Sequence, residues 1–265
     1  MAKRKENPTV DAEGNMTLSG HLREMRNRLI VVLVILVAGI VVCFSFAEPL
    51  VTLLTDIGEK YNYNFVYIKP QELLMVYFTI SLIGGVVISL PVGAYEIYAF
   101  SSPGLKAKEK TLMLLGMTFG MLFFCIGVFF AYKVMMPFML RFLIGFSDTV
   151  DISASISIEE YVSFLLLIFV IFGVIFELPV ISVILTALGI IKPDWLIKAR
   201  KVMIVIIFFI AAIITPPDII SQIMVAIPIV LLYELSILLS KVIYKMKKTK
   251  PDDDGEDEDE DEDDD

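Results

Sequence analysis

The stretch Tyr161 to Ile191, YVSFLLLIFVIFGVIFELPVISVILTALGII, carries a single charge, Glu177. A helix advances about 1.5 Å per residue, so about 20 apolar residues cross a hydrocarbon core of roughly 30 Å. This stretch is long enough to do so, and it decides the class of the chain. Working outward, three further uncharged runs meet the same requirement: Leu29 to Ala47, Leu73 to Tyr95 and Thr111 to Tyr132. A fifth run, Val202 to Thr215, has only 14 residues before Pro216 and Pro217, about 21 Å as a helix, so the bilayer must thin there or another protein must cover its end. A sixth, Ile219 to Ser240, is interrupted only by Glu234. The connection Thr215-Pro216-Pro217-Asp218 is so tight that the last two segments form a helical hairpin. The expected fold is an all-α integral membrane protein with six transmembrane helices, the short fifth and sixth spans forming a hairpin.

Composition agrees. Of 265 residues, 57% are hydrophobic and 20% charged, which excludes an ordinary water-soluble domain. The net charge of -9 is misleading, because 13 of the 31 acids lie in Asp252 to Asp265 and the remaining body is mildly basic. The expected organisation is a disordered cytoplasmic N-terminus over 1–17, a membrane domain over 18–246 and a disordered acidic cytoplasmic tail over 247–265. Lys and Arg are retained on the cytoplasmic side. With the N-terminus inside, 18 of the 22 fall in inner segments, leaving Lys60, Lys69, Lys133 and Arg141 outside. Both termini are therefore expected in the cytoplasm of a cell whose inner membrane holds the protein. Ser45-Phe46-Ala47 imitates a signal-peptide cleavage site, but a long hydrophilic stretch precedes the run, so the first span is read as an uncleaved anchor.

Usual enzyme signatures are missing: no Gly-rich phosphate loop, no Gly-x-Ser-x-Gly, one His and two cysteines. Cys43 and Cys125 lie in apolar runs and are read as small buried hydrophobes. No catalytic residue, metal, cofactor or nucleic-acid partner is expected.

Leu18, Leu22, Met25 and Leu29 recur at helical spacing and predict an apolar stripe on a helix lying along the membrane surface. Glu24 stands among Arg23, Arg26 and Arg28. It is either an i,i+4 partner of Arg28 or a carboxylate offered to an incoming cation, for which a guanidinium is the geometrically specific case. Glu109 lies between Lys108 and Lys110, where a solvated charge run is the plain expectation. Met136 to Glu160 predicts an interfacial helix followed by irregular chain. Glu177 falls near the middle of the fourth span, where a charge costs roughly 2.5 to 3.5 kcal/mol. Pro179 removes a donor and frees the Ile175 carbonyl, so a kink is expected there. The alternative is a protonated Glu177 bonded only to that broken backbone. Glu234, Gln222 and Thr215 offer polar groups to a neighbouring helix.

The motifs His21-Leu22-Arg23-Glu24-Met25-Arg26-Asn27-Arg28-Leu29, Ala99-Phe100 through Pro103 and Glu109, Phe172-Gly173 with Phe176-Glu177-Leu178-Pro179, Thr215-Pro216-Pro217-Asp218 with Ser221-Gln222, Ala226-Ile227-Pro228 and Tyr233-Glu234 occur in this order. Together they resemble the TatC family, the multi-spanning receptor subunits of the twin-arginine protein translocase, over roughly Leu18 to Tyr244. Met25 stands where the family commonly has Leu, a volume-conserving exchange. The resemblance implies binding of twin-arginine signal peptides and assembly with single-span TatA/TatB-type subunits and further copies of the chain. It also implies export of folded proteins driven by the proton-motive force. By residue, it implies that Glu24 and Glu109 take the arginine pair, with Arg26, Phe100 and Pro103 shaping the patch. Glu177, Thr215, Gln222 and Glu234 become intramembrane polar positions for partner docking. The rival class is a proton-coupled secondary transporter using Glu177; an intramembrane hydrolase lacks an evident catalytic partner for Glu177 or Glu234.

Overall fold

The computed structural model describes residues 18–61, 63–104, 106–147, 155–215 and 218–249. The expected N-terminal segment, the acidic run after 250 and the Pro216-Pro217 pair lie outside the described residues. In chain order the elements are α1 (Leu18–Ser45), α2 (Ala47–Glu59), β1 (Asn64–Val66), α3 (Glu72–Ser101), α4 (Ala107–Phe130), α5 (Met136–Ser147), β2 (Ser155–Ser157), α6 (Ile158–Ile175), α7 (Leu178–Ala187), α8 (Pro193–Ile214) and α9 (Ile219–Thr249). Ser102–Gly104 forms a 3-10 turn, and Ala131–Met135 a π-helical turn that joins α4 to α5.

Among the described residues, five helical segments are long and apolar enough to cross a membrane: Gly20–Ser45, Glu72–Gly104, Ala107–Phe142, Ile158–Ala187 and Ile219–Lys247. The predicted fifth span, inside α8, is not among them, because Lys198, Arg200 and Lys201 crowd its first half. Nor is the sixth segment short, since α9 has 31 residues against 22 for α8.

The all-α expectation needs one correction: β1 and β2 pair in parallel, with Asn64 opposite Ser155, Phe65 opposite Ile156 and Val66 opposite Ser157. Three-residue strands so far apart in sequence leave no periodicity to read. The Glu72 carboxylate braces the pair, accepting from the Ser157 hydroxyl at 3.0 Å and the Lys69 amide at 3.1 Å. Ser157 in turn caps α6 by accepting from the Glu160 amide, and Glu159 and Glu160 place negative charge on the first turn.

The predicted surface helix is absent as a separate element. α1 runs unbroken from Leu18 to Ser45, and Leu22, Met25 and Leu29 stay exposed on it. Likewise α5 is no unpartnered interfacial helix. Met136, Met139 and Leu140 are fully covered, and Leu140 offers its carbonyl to the Tyr63 hydroxyl at 3.1 Å. Burial of that hydroxyl pushes the Tyr63 pKa up to about 12. Cys43 is buried as expected, whereas Cys125 is exposed.

The β1–β2 pair, α2 and α5 gather at one end of the bundle, the far end. The start of α1, the close of α3 and the entry to α4 mark the near end. Two apolar cores result. One joins α2, α3, α5 and α6 around Val76, Met136 and Leu165; the other joins α6, α8 and α9 around Phe172, Ile207 and Ile229. Glycine sets how closely helices cross. A Cβ on Gly85 of α3 would lie 2.8 Å from the Ile40 backbone nitrogen of α1, and one on Gly127 of α4 would lie 2.6 Å from the Phe172 carbonyl oxygen of α6. Backbone cannot yield as a side chain can, so Gly127→Ala is expected to destabilise the bundle by about 1–3 kcal/mol. The measurement is thermal unfolding of the detergent-solubilised protein, with a lowered midpoint as the expected result.

Candidate functional site

Near the middle of the fourth apolar segment, Pro179 cannot donate to Ile175. The helix duly stops at Ile175, Phe176 and Glu177 form a turn, and α7 restarts with proline in its first turn. The predicted kink is thus a two-residue turn within one apolar helical segment. Gly189, with φ +81°, ends α7: its amide donates to the Thr186 carbonyl and that of Ile190 to the Leu185 carbonyl.

The two-residue turn puts Glu177 on the wall of a groove of about 1000 Å³ between α3, α4 and the α6–α7 unit. The groove is otherwise mostly apolar, lined by residues such as Leu82, Val86, Leu90, Met117, Met121 and Val174, with the hydroxyl residues Thr79, Thr118 and Ser163 among them. Gly120 of α4 makes room for the carboxylate, since a Cβ there would lie 2.8 Å from Glu177 Oε2. Among the described residues Glu177 has no side-chain hydrogen bond or ion pair. The alternative of a carboxyl satisfied by the broken backbone is therefore not what the structure shows.

At the near end, α1 and α3 lie side by side and interleave polar groups. Arg28 donates through Nη2 and Nε to Glu24 Oε1 at 2.6 and 3.0 Å, and through Nη1 to Glu96 Oε2 at 2.8 Å. One turn toward the start of α1, His21 stacks on Phe100 at 4.3 Å between ring centroids. Glu24 and Glu96 are 22% and 16% exposed and Arg28 27%, so the three charges are half withdrawn from solvent yet reachable. Two carboxylates against one guanidinium leave a net charge of about -1 at neutral pH. Glu24 Oε2 and Glu96 Oε1 are not engaged by Arg28.

The predicted patch is assembled in part. Glu24 is tied to α3 through Arg28 and Glu96, and Phe100 of α3 meets His21 of α1. Glu109 sits on the first turn of α4, where its carboxylate accepts from the Lys106 amide at 2.9 Å and so ties off the helix start. Pro103 is exposed in the 3-10 turn that leads from Phe100 toward α4, and Arg26 is exposed on the side of α1 away from the cluster. Glu96 was not singled out by the sequence. Its only sign was a four-residue spacing to Phe100, which puts both on one face of α3.

The remaining polar positions turn toward their own chain. The Thr215 hydroxyl donates to the Ala211 carbonyl at 2.9 Å, and Gln222 Nε2 to the Phe208 carbonyl at 2.9 Å. Glu234 of α9 accepts from Arg200 Nη2 of α8 at 2.9 Å. Asp218 caps α9 through the Ser221 amide and hydroxyl, bonds that hold its carboxyl below the usual range. The Gln222–Phe208 and Arg200–Glu234 contacts, with the Tyr233 hydroxyl donating to the Leu196 carbonyl, hold α8 and α9 side by side as the hairpin expectation required.

Comparison with known proteins follows the same outline. The family model described as Sec-independent protein translocase protein (TatC) matches residues 20–228. The Sec-independent protein translocase protein TatCy of Bacillus subtilis is 36% identical over 230 residues, 87% of this chain and 91% of that one. The TatC protein of Aquifex aeolicus is 37% identical over 236 residues, 88% of this chain and 98% of that one. A crystal structure described as the twin arginine translocase receptor TatC superposes with a TM-score of 0.75 at 36% identity, covering 84% of this chain and 99% of that chain.

Proposed function

Because this chain belongs to the TatC family, and is thus a membrane-embedded component of a Sec-independent protein translocase, we propose that it is the receptor for twin-arginine signal peptides. The near end is then the cytoplasmic face of the inner membrane, with both termini inside, and α8 is the short fifth of six crossings. Glu24 and Glu109 each take one arginine of the pair through charge-assisted, bidentate hydrogen bonds. Phe100 and Pro103 shape the patch, and Arg26 adds positive charge on the other side of α1 from Glu24 and Arg28.

One observation carries this reading: a guanidinium, that of Arg28, already sits between Glu24 and Glu96. That contact supports the reading, because Glu24 there accepts from a guanidinium, the group that a leader arginine would bring. Glu177, the unpaired carboxylate in the groove, is the position where an inserted leader or the helix of a single-span TatA/TatB-type subunit docks. Gln222 and Glu234 keep α8 and α9 together, and Thr215 closes the end of α8, as a platform for such partners. Self-association then builds the complex that exports folded cargo using the proton-motive force.

The test is capture of the detergent-solubilised chain by an immobilised peptide carrying Arg-Arg, compared with its Lys-Lys version. Lys presents a point charge and no planar fork. The Arg-Arg peptide is expected to retain about tenfold more protein at the same salt concentration. Equal retention would overturn the receptor reading.

A further inference from the structure

Arg28 is the member of the near-end cluster that the proposed receptor role leaves unused. It engages Glu24, the carboxylate assigned to a leader arginine, with the same chemical group a leader would bring. Resting on that role, we infer that Arg28 is a resident competitor: it occupies the Glu24 seat when no leader is bound and is displaced when one arrives.

The geometry favours exchange over a permanent tie. Arg28 holds Glu24 by Nε and Nη2 but holds Glu96 by Nη1 alone, from a different helix. Giving up Glu24 leaves the Arg28 guanidinium on Glu96, so no half-buried charge is stranded during the exchange. The departing bonds are those of a partly exposed i,i+4 pair, a class of weak stabilisation that a bidentate ligand can outcompete. Net charge also fits, since the cluster at about -1 is neutralised by one further cation.

Internal competition has a definite thermodynamic signature. An occupant that must leave before any ligand enters lowers the affinity of every ligand for that seat by the same factor. Arg28 therefore sets the threshold for capture, while the fork geometry of the carboxylates sets the preference for arginine.

The experiment is equilibrium binding of fluorescent Arg-Arg and Lys-Lys leader peptides to the full detergent-solubilised chain. Arg28→Gln is expected to tighten both peptides by about fivefold and to leave their ratio unchanged. Arg28→Lys, a weaker occupant, is expected to fall between the parent and Arg28→Gln. In a Glu24→Ala background, Arg28→Gln is expected to tighten nothing, because the seat is gone. Weaker binding by both Arg28→Gln and Arg28→Lys, or no change in either, would overturn the inference and make Arg28 a structural tie. If Glu24→Ala weakens binding while the Arg28 variants do not tighten it, only this inference fails. If Glu24→Ala itself has no effect, the receptor reading of the site fails first.

Discussion

Replacing both Glu24 and Glu109 by alanine is expected to lower affinity for an Arg-Arg leader by about a hundredfold and to stop export of its cargo. Each carboxylate supplies charge-assisted hydrogen bonds worth about 1.5–3 kcal/mol when fully formed, discounted here because the site is partly exposed. About tenfold per residue remains. Glu24 is on α1 and engages Arg28, whereas Glu109 is on α4 and engages its own helix start. With no shared partner, the two losses should add in free energy. Glu109→Ala also removes the bond to the Lys106 amide, so a few tenths of its effect in kcal/mol belongs to the helix end. Glu109→Gln separates the two contributions, since an amide oxygen still accepts from that backbone donor but no longer pairs with arginine as a charge. Peptide titration and export of a reporter are the two measurements. Parental values in the double variant would remove these residues from the site.

The second large effect is expected at Glu177. Glu177→Leu fills the same volume beside Gly120 with an apolar side chain and costs nothing in burial, so the protein should remain folded and insert normally. Export and crosslinking to single-span partner subunits should nevertheless fall by about threefold to thirtyfold, because the groove then offers a docking helix no carboxyl to bond. A single interhelical hydrogen bond in a membrane is worth about 0.6 to 2 kcal/mol, up to roughly thirtyfold in a docking equilibrium. Glu177→Gln keeps a hydrogen-bonding group and should retain more activity than Glu177→Leu. Normal assembly and export by Glu177→Leu would reduce the groove to a feature of packing.

Legibility in the sequence followed the range of the forces involved. Long apolar runs and Pro179 act locally, so five of the six apolar segments and a disturbance of the helix near Glu177 could be read directly. Contacts between distant segments could not. Glu96 resembled any other polar residue at the end of a helix until α1 was laid against α3, and only then did Arg28 become a shared partner instead of a purely local one. β1 and β2 depend on a pairing across the whole second and third segments, and the strand residues themselves have no alternation long enough to announce it. α8 misled for a different reason. Its basic first half is continuous with its apolar second half, so the helix is longer than its uncharged run and less apolar than a span. Thr215 and Gln222 were read as groups seeking an outside partner because single-sequence polarity does not reveal which backbone carbonyl lies within reach.

The π-helical turn at Ala131–Met135 inserts one residue more than an α-helical turn would hold. That surplus rotates everything after it by about 100° around the rod's long axis. The stripe of α4 that meets α6 through Gly127 is therefore not the stripe that continues into α5, and Met136, Met139 and Leu140 swing inward to seal the opposite end. One rod thus serves two different neighbours, and the phase slip between them is written in a single extra amino acid.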